Sequence, residues 1–340
     1  MINKAALDYE SAWLDVALRF MSLYRKRFSP IEIAECDLLN IADERICIDN
    51  FVSNEELLDF QMELNPSHLS AETENKLVFA ELCSSRGIPT TKMVGKFYLE
   101  KTSHGGGTEV AGVVERTVSK LPMGEYVLKP AYGCHGNGVF VFSISSCPDF
   151  HDLESEIVRH CELHSRFQHW LVEERLFNHS KVLQLSPAKA LQTLRVVTYV
   201  DRDGEASVLA AQWRLASASA VVDNFCFGTN PGLLCNIVPE SGEIEVAYRG
   251  KNFPYEFGLD TTSTHMETGE ILVGKRVPMW GEVVRLATRA ALEFLPARSI
   301  GWDISITTSG PVVVEGNRYW DAHNEDGKMR ERLSWMQARR

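Results

Sequence analysis

Two apolar segments near the carboxyl end of the chain decide the fold: residues 301–307, GWDISIT, and residues 311–317, PVVVEGN, separated by a Thr-Ser-Gly turn. Apolar runs on both sides of a glycine-containing turn predict a β-hairpin. If the pairing is centred on this turn, Asp303 lies opposite Glu315, and Asn317 shares their face because side chains alternate along a strand. Opposed carboxylates repel each other unless a cation lies between them. The hairpin therefore predicts an Mg²⁺ site that works with substrate phosphates, and a solvated hairpin face is the alternative.

A second pair of apolar strands lies well upstream, at residues 126–130 (YVLKP) and 139–142 (VFVF). Glycines in the loop between them allow backbone N–H groups to cradle phosphate oxygens, and Lys129 adds a positive charge. The segment is not a P-loop, because no Gly-Lys-Ser/Thr follows and no helix begins there. An ordinary glycine-rich hairpin is the alternative. The loop residues predicted to contact phosphate are Gly133, Gly136, Asn137 and Gly138.

With these motifs in this order, the chain resembles the ATP-grasp superfamily, and within it the sugar-transfer-associated ATP-grasp family. The resemblance extends from about residue 74 to 321. It departs from the family after Asp223-Asn224, where residues 225–229 replace a common Gly-Gly, and no clear acidic residue for the ribose hydroxyls follows Glu174. The motifs that carry the resemblance are Asn75-Lys76 with 86–89, 127–130 with 136–138, 171–174, 192–198, 222–224, His265 with 268–269, 277–280, and 301–303 with 315–317.

The resemblance implies an α+β protein with the ATP-grasp fold, in which two α+β subdomains grip ATP, preceded by a helical amino-terminal extension. We expect a helical region at 1–70, an amino-terminal subdomain with the phosphate loop at 71–168, a carboxyl-terminal subdomain with the adenine hinge and metal site at 169–325, and a tail at 326–340. Helical signals support the first region: apolar residues recur with a helical period over 3–27, and Ser53 precedes a capping-box spacing.

The resemblance also implies the roles of individual residues. Lys76 and Lys129 would contact the ATP phosphates, and Glu173 and Glu174 the adenine edge. Arg195 would neutralise the γ-phosphate or acyl phosphate, Arg214 would grip the acid substrate, and Asn224 would contact metal or substrate. Asp303, Glu315 and Asn317 would bind one or two Mg²⁺ ions, for which Mn²⁺ would be a substitute.

Each of these roles has a structural alternative. Lys76 could be a solvated lysine on a helix, and one of the two hinge glutamates could be only a surface charge. Arg195 could form a structural salt bridge, and Asn224 could be an Asx-turn residue. His265, a lone histidine in a polar segment, is more readily a surface residue than a catalytic base.

Composition agrees with a globular enzyme of 340 residues. The net charge of −11 argues against nucleic acid or an anionic membrane as a partner, because both are bound through basic surfaces. No apolar run approaches the roughly 20 residues of a membrane span, and there is no signal-peptide pattern, so we expect a cytoplasmic protein. The eight scattered cysteines are expected to be free thiols.

The function implied by the resemblance is an ATP- and Mg²⁺-dependent ligase that activates a carboxylate as an acyl phosphate for attack by an amine or similar nucleophile. The expected partners are a small-molecule or sugar-linked carboxylate and an amine. The alternatives are a phosphotransferase that stops after phosphoryl transfer and a non-catalytic ATP-binding regulatory protein. The sequence does not predict the oligomeric state.

Overall fold

A computed structural model of the chain describes residues 1–44, 46–98, 118–133, 136–145, 150–220, 222–225, 230–251 and 255–340. The chain divides into two compact units. One comprises Met1–Leu69, Asn178–Pro311 and Gly316–Arg340, and the other comprises Ser70–Phe177 and Val312–Glu315. We predicted a subdomain boundary at 168/169, whereas these units divide at Phe177/Asn178.

The smaller unit contains a four-stranded antiparallel sheet in the order β1-β4-β2-β3. Its strands are β1 (Met93–Tyr98), β2 (Gly124–Pro130), β3 (Phe140–Ile144) and β4 (His169–Glu174). Their buried side chains form one apolar core that includes Tyr126, Leu128, Phe142, Trp170 and Val172. Both strands that the sequence predicted in this region, 126–130 and 139–142, are present as β2 and β3.

Residues 71–85 form two helices that Asn75 separates. The backbone of Asn75 is extended, with φ −99° and ψ 107°, and its Oδ1 accepts hydrogen bonds from the N–H groups of Leu77 and Val78. Asn75 is therefore the N-cap of the second helix, a role that Asn favours because it satisfies backbone donors left free in the first turn. Gly87 follows the second helix with φ +64°, as expected for a helix-terminating glycine.

The larger unit contains a seven-stranded sheet in the order β11-β10-β5-β6-β7-β8-β9. Its strands are β5 (Thr193–Val200), β6 (Ala206–Ala216), β7 (Gly232–Ile237), β8 (Ile244–Gly250), β9 (Leu259–Thr262), β10 (Ser299–Thr307) and β11 (Gly310–Asn317). The predicted hairpin is thus formed by β10 and β11, although residues 312–315 of β11 cluster with the smaller unit.

Ten helices are described, numbered in chain order. They are α1 (Ile2–Asp8), α2 (Trp13–Arg25), α3 (Pro30–Glu35), α4 (Asn54–Leu64), α5 (Ala71–Glu74), α6 (Lys76–Ser85), α7 (Phe150–Leu163), α8 (Ser180–Leu185), α9 (Trp280–Glu293) and α10 (Met329–Ala338). The period over residues 3–27 predicted helix correctly, but the segment forms two helices, and the residue Glu10 between them has φ +48°.

Helices cover both faces of the seven-stranded sheet. On one face, α9 contacts β5, β6 and β10, and Phe294 just after it packs edge-on against Trp302 with ring centroids 5.3 Å apart. On the other face, Val197, Tyr199 and Ala210 pack against apolar residues of α4 and α10. The amino-terminal region is therefore part of the hydrophobic core of the larger unit.

Asn65, just after α4, fixes this region to the sheet. Its Nδ2 donates to the carbonyl oxygens of Ser299 and Arg318, both at 2.8 Å. Its Oδ1 accepts from the N–H groups of Arg298 at 2.9 Å and Ser299 at 3.1 Å. The side chain is fully buried, so all four bonds form away from water.

We expect Asn65→Ala to lower the free energy of unfolding by about 3 kcal/mol, because it leaves buried backbone donors and acceptors unsatisfied. Chemical denaturation measures this change. Asn50→Ala, at an exposed position in the same region, is the matched control and should change stability by less than about 0.5 kcal/mol. Equal effects of the two substitutions would contradict a fixing role for Asn65.

Candidate active site

A row of polar side chains crosses four strands of the seven-stranded sheet. The registers pair Asp303 with Arg195, Arg195 with Gln212, and Gln212 with Asn236. Because side chains alternate along each strand, the four lie on one face of the sheet. The next row, on the opposite face, consists of Ile304, Leu194, Trp213 and Cys235, all buried and apolar.

Arg195 and Asp303 form a bidentate ion pair within this row. Nε of Arg195 donates to Oδ1 of Asp303 at 2.6 Å, and Nη2 donates to Oδ2 at 3.2 Å. Burial acts to raise the pKa of Asp303, but the charges of Arg195 and Arg214 outweigh it and hold the pKa below its ordinary value. Asp303 is therefore ionised at neutral pH. The salt bridge that the sequence left as the alternative for Arg195 is present.

Arg214 lies on the same face of β6 as Gln212, two residues further along the strand. Its Nη1 is 3.5 Å from each carboxylate oxygen of Asp303, which is longer than an ordinary N–H···O bond. The guanidinium has five N–H donors, so this contact uses little of its capacity. Arg214 therefore retains donors that suit a carboxylate or phosphate.

Asp223 lies close to this group. Its Oδ2 accepts hydrogen bonds from the backbone N–H of Thr193, at 2.7 Å, and from the Thr193 hydroxyl. Burial raises the pKa of Asp223, and the charge of Arg214 opposes that rise. The neighbouring Asn224 accepts a hydrogen bond through its backbone oxygen from Nδ2 of Asn230 at 2.8 Å. The loop segment 226–229, where the sequence departs from the family, lies outside the described residues.

Four other residues of this region were not predicted from the sequence as site residues: Gln212, Asn236, His323 and Glu325. Nε2 of Gln212 donates to Oδ1 of Asn236 at 3.0 Å and to Oε2 of Glu325 at 2.9 Å. His323 is buried, and its Nδ1 has no hydrogen-bond partner among the described residues. Burial and the nearby charges of arginines, chiefly Arg195, lower the pKa of His323 well below its ordinary value. Gln212 and Asn236 interrupt apolar strands as Arg195 does, and this is the sequence signal by which they could have been found.

Several carboxylates lie close to Glu325. Burial, followed by the charges of Glu325, Asp321 and Glu32, raises the pKa of Glu35 well above its ordinary value of 4.5. Burial likewise raises the pKa of Glu325 to about 7. A raised folded-state pKa means that the folded protein binds more protons than the unfolded chain above about pH 4.5. The stability that depends on protonation of Glu35 and Glu325 is therefore present at acid pH and is lost as the pH rises through neutrality.

We expect Glu35→Gln to relieve this loss, because the amide keeps the shape of the side chain and carries no charge. The melting temperature of the variant should match that of the wild type at pH 5 and exceed it by about 2–5 °C at pH 8.5. Thermal unfolding at the two pH values measures the difference. If the melting temperatures of the variant and the wild type differed by the same amount at both pH values, the charge of Glu35 would not be the cause of the difference.

In the smaller unit, Lys129 and Glu173 form a buried ion pair with Nζ 2.7 Å from Oε2. The Thr91 hydroxyl donates to Oε1 of Glu173 at 2.6 Å, so both carboxylate oxygens are engaged. Glu174, by contrast, pairs with Lys92 at the surface. The two glutamates predicted at the adenine hinge therefore differ: Glu173 is buried and paired with Lys129, whereas Glu174 is half-buried and paired with Lys92.

Lys76, at the start of α6, reaches the predicted phosphate loop. Its Nζ donates to the carbonyl oxygen of Gly133 at 2.7 Å and to Oε1 of Glu315 at 2.9 Å. Lys76 is thus not the solvated lysine that was the alternative. In the loop itself, Gly136 and Gly138 have φ of +73° and +79°, which other residues rarely adopt. The two residues between Gly133 and Gly136 lie outside the described residues.

The predicted metal ligands have donor atoms that suit Mg²⁺, namely two carboxylates and an amide oxygen. Asp303 bonds to Arg195, and Glu315 pairs with Lys76. Asn317 donates Nδ2 to the carbonyl oxygen of Gly301 at 3.3 Å, which leaves its Oδ1 for a cation. Each carboxylate already has a cationic partner. Within the described ranges, no group of three His, Cys, Asp or Glu side chains is arranged to hold a metal ion.

Other expectations concern residues outside this region. His265 is buried rather than on the surface as expected, and its Nδ1 accepts from the N–H groups of Glu267 and Thr268, which closes a turn. The five described cysteines are free thiols, and Cys134, Cys147 and Cys226 lie outside the described residues. None of the described helices is long and apolar enough to cross a membrane.

Several solved structures are similar to this chain. A D-cycloserine synthetase is 14% identical, with 84% of this chain and 79% of that one covered and a TM-score of 0.44. D-alanyl-alanine synthetase A from Vibrio cholerae is 14% identical, with coverage of 79% and 65% and a TM-score of 0.44. The D-alanine-D-alanine ligase from Coxiella burnetii is 11% identical, with coverage of 84% and 65% and a TM-score of 0.44. This chain spans less than two thirds of the latter two.

A search of curated proteins gave no match. A comparison with family models, however, matched the sugar-transfer-associated ATP-grasp model to residues 56–327. The matched range contains both sheets and every residue that the sequence predicted to bind ATP, metal or substrate. The match therefore confirms the resemblance and the ATP-grasp fold: the chain belongs to the sugar-transfer-associated ATP-grasp family.

Proposed function

We propose that this protein is an ATP- and Mg²⁺-dependent ligase that joins a small-molecule or sugar-linked carboxylate to an amine or similar nucleophile. The observation that supports this proposal best is the pair of guanidinium groups, Arg195 and Arg214, on the same face of the seven-stranded sheet. Cations in a largely buried site favour anionic reactants, because low local polarity strengthens their attraction.

The proposed reaction has two steps. A carboxylate oxygen of the substrate attacks the γ-phosphorus of ATP, ADP leaves, and an acyl phosphate forms. The amine then attacks the acyl carbon, inorganic phosphate leaves, and the amine loses a proton. Because ATP and the acid are both anionic, the protein's task is chiefly to position them and to neutralise their charge.

Arg195 and Arg214 divide this task. Asp303 holds the guanidinium of Arg195 in a fixed orientation, in which its positive charge would neutralise the phosphoryl group being transferred. Arg214 is less committed to Asp303 and would bind the carboxylate of the acid. Asn224 would add a polar contact to substrate. Mg²⁺, held by Asp303, Glu315 and Asn317, would supply positive charge to the phosphate oxygens.

The nucleotide would bind through the smaller unit. Lys76 and Lys129 would contact its phosphates, together with backbone N–H groups of Gly133, Gly136, Asn137 and Gly138. Glu173 and Glu174 are proposed at the adenine edge. Glu173 also fixes the position of Lys129 through their ion pair, which supports the phosphate contact proposed for Lys129.

The test is a screen of amino acids, uronic acids and short peptides for acid-dependent ADP formation, followed by mass spectrometry of the product. We expect at least one acid to stimulate ADP release and an amine to be incorporated into the product. A phosphorylated acid as the final product would identify a phosphotransferase instead. ATP binding with no acid-dependent ADP release would favour a regulatory protein.

A further inference from the structure

Helix α2 has two apolar faces, and only one of them is covered. Val16 and Leu23 are fully buried in a core with residues of α1 and α3. On the other side, Leu14 is 62% exposed, Leu18 61% and Met21 46%. These three recur at intervals of four and three residues, so they form one stripe along the helix.

Two aromatic residues extend this stripe at its ends. Trp13 is 53% exposed and Tyr24 is 64% exposed. Nε1 of Trp13 donates to Oδ1 of Asn3 at 2.7 Å, which fixes the indole in its exposed position. Trp, Tyr and Met are the residues that interface centres favour over the rest of a protein surface. We refer to Trp13, Leu14, Leu18, Met21 and Tyr24 as the α2 face.

The size of the α2 face fits an interface. Its five large side chains expose on the order of 600 Å² of mainly apolar surface, at the upper end of what a monomer shows and close to the ~800 Å² that each partner contributes to a standard interface. The α2 face also lies outside residues 56–327, so the family match does not account for it.

The charges along α2 indicate what would cover this face. Asp15 lies in the first turn, and Arg25 lies in the last turn, four residues after Met21. Neither forms an ion pair with a described residue, whereas the adjacent Lys26 and Arg27 are already paired with Asp49, Glu55 and Asp59. Helix α2 thus begins with an acidic residue and ends with a basic one, and neither is paired with a described residue. Two copies of α2 in antiparallel orientation would bring Asp15 of each helix close to Arg25 of the other.

We propose that the α2 face binds the α2 face of a second copy of this chain, with the two helices antiparallel about a twofold axis. Leu18 and Met21 lie nearest the axis, because they are at the middle of the stripe. The acidic start of each helix then lies beside the basic end of the other. A twofold interface of this kind is the commonest arrangement of homo-oligomers.

Light scattering coupled to size-exclusion chromatography tests the proposal on the full chain. We expect a mass of twice 38.3 kDa for the wild type at micromolar concentration. Leu18→Glu should give a folded 38.3 kDa monomer, because the side chain is exposed and lies outside the core of the subunit. Leu292→Glu, at a position on α9 that is 46% exposed, is the matched control and should remain dimeric.

Charge exchange tests the antiparallel arrangement. Arg25→Asp should weaken the dimer at least tenfold by sedimentation, and adding Asp15→Arg should recover most of that loss. A wild-type monomer at all concentrations, or a dimer that persists in Leu18→Glu, would overturn the proposal. So would a monomeric protein that binds phosphatidylserine vesicles through the α2 face, since the face would then serve a membrane surface.

Discussion

Arg195→Lys is expected to lower kcat/KM for acid-dependent ADP formation by about 10³. Lysine keeps the positive charge and an ion pair with Asp303, so the buried carboxylate still has a partner and the fold should survive. It cannot reproduce the two parallel N–H···O bonds of the guanidinium or direct further donors at a phosphoryl group. Loss of one well-placed donor to a charged transition state costs about 3–4 kcal/mol, which corresponds to this loss of rate.

Steady-state kinetics with the acid identified by the screen would measure this effect. Arg249→Lys is the matched control, because Arg249 also forms a two-pronged pair with an aspartate, Asp260, but at the protein surface. We expect that variant to keep wild-type activity. If Arg195→Lys retained activity within about fivefold of wild type, Arg195 would be a structural residue only.

The sequence was sufficient to predict the family, because its motifs are local and occur in a fixed order. The strands that carry Lys129, Arg195 and Asp303 are all present, and each was visible as an apolar run with one charged residue. The family match confirms that interpretation. The residues predicted to bind ATP, metal and substrate are all among the described residues, and their roles remain proposals.

Other features depended on contacts between distant parts of the chain. Asn65 bonds to residues more than 230 positions away, so nothing near it in the sequence indicated a role. The period over residues 3–27 was read correctly as helical, yet most of its large apolar side chains are exposed. Periodicity indicates that a helix has an apolar stripe, but it does not indicate which residues pack against that stripe.

The polar row could not be predicted for the same reason, because it depends on which strands pair. Arg195 interrupts an apolar strand, and a buried guanidinium requires an anionic partner. Which anion it meets depends on register, and β5 pairs with β10, which lies about a hundred residues further along the chain. Gln212 and Asn236 became site candidates only when the registers of β6 and β7 aligned them with Arg195.

The buried pair of Lys129 and Glu173 gives the second large expected effect. Lys129→Met should lower the free energy of unfolding by about 3–5 kcal/mol in the absence of nucleotide, because it leaves the Glu173 carboxylate buried without its cation. It should also abolish the rise in melting temperature that ATP produces in the wild type, since the phosphate contact is lost.

These two consequences can be separated with a double variant. Adding Glu173→Gln to Lys129→Met removes the unpaired charge, and the amide can still accept the hydrogen bond from Thr91. The double variant should therefore recover most of the lost stability while remaining insensitive to ATP. Calorimetric melts of the wild type and both variants, each with and without ATP and Mg²⁺, provide the comparison. If the double variant regained the ATP-dependent rise in melting temperature, Lys129 would serve only to balance Glu173, and the nucleotide phosphates would have to be bound elsewhere.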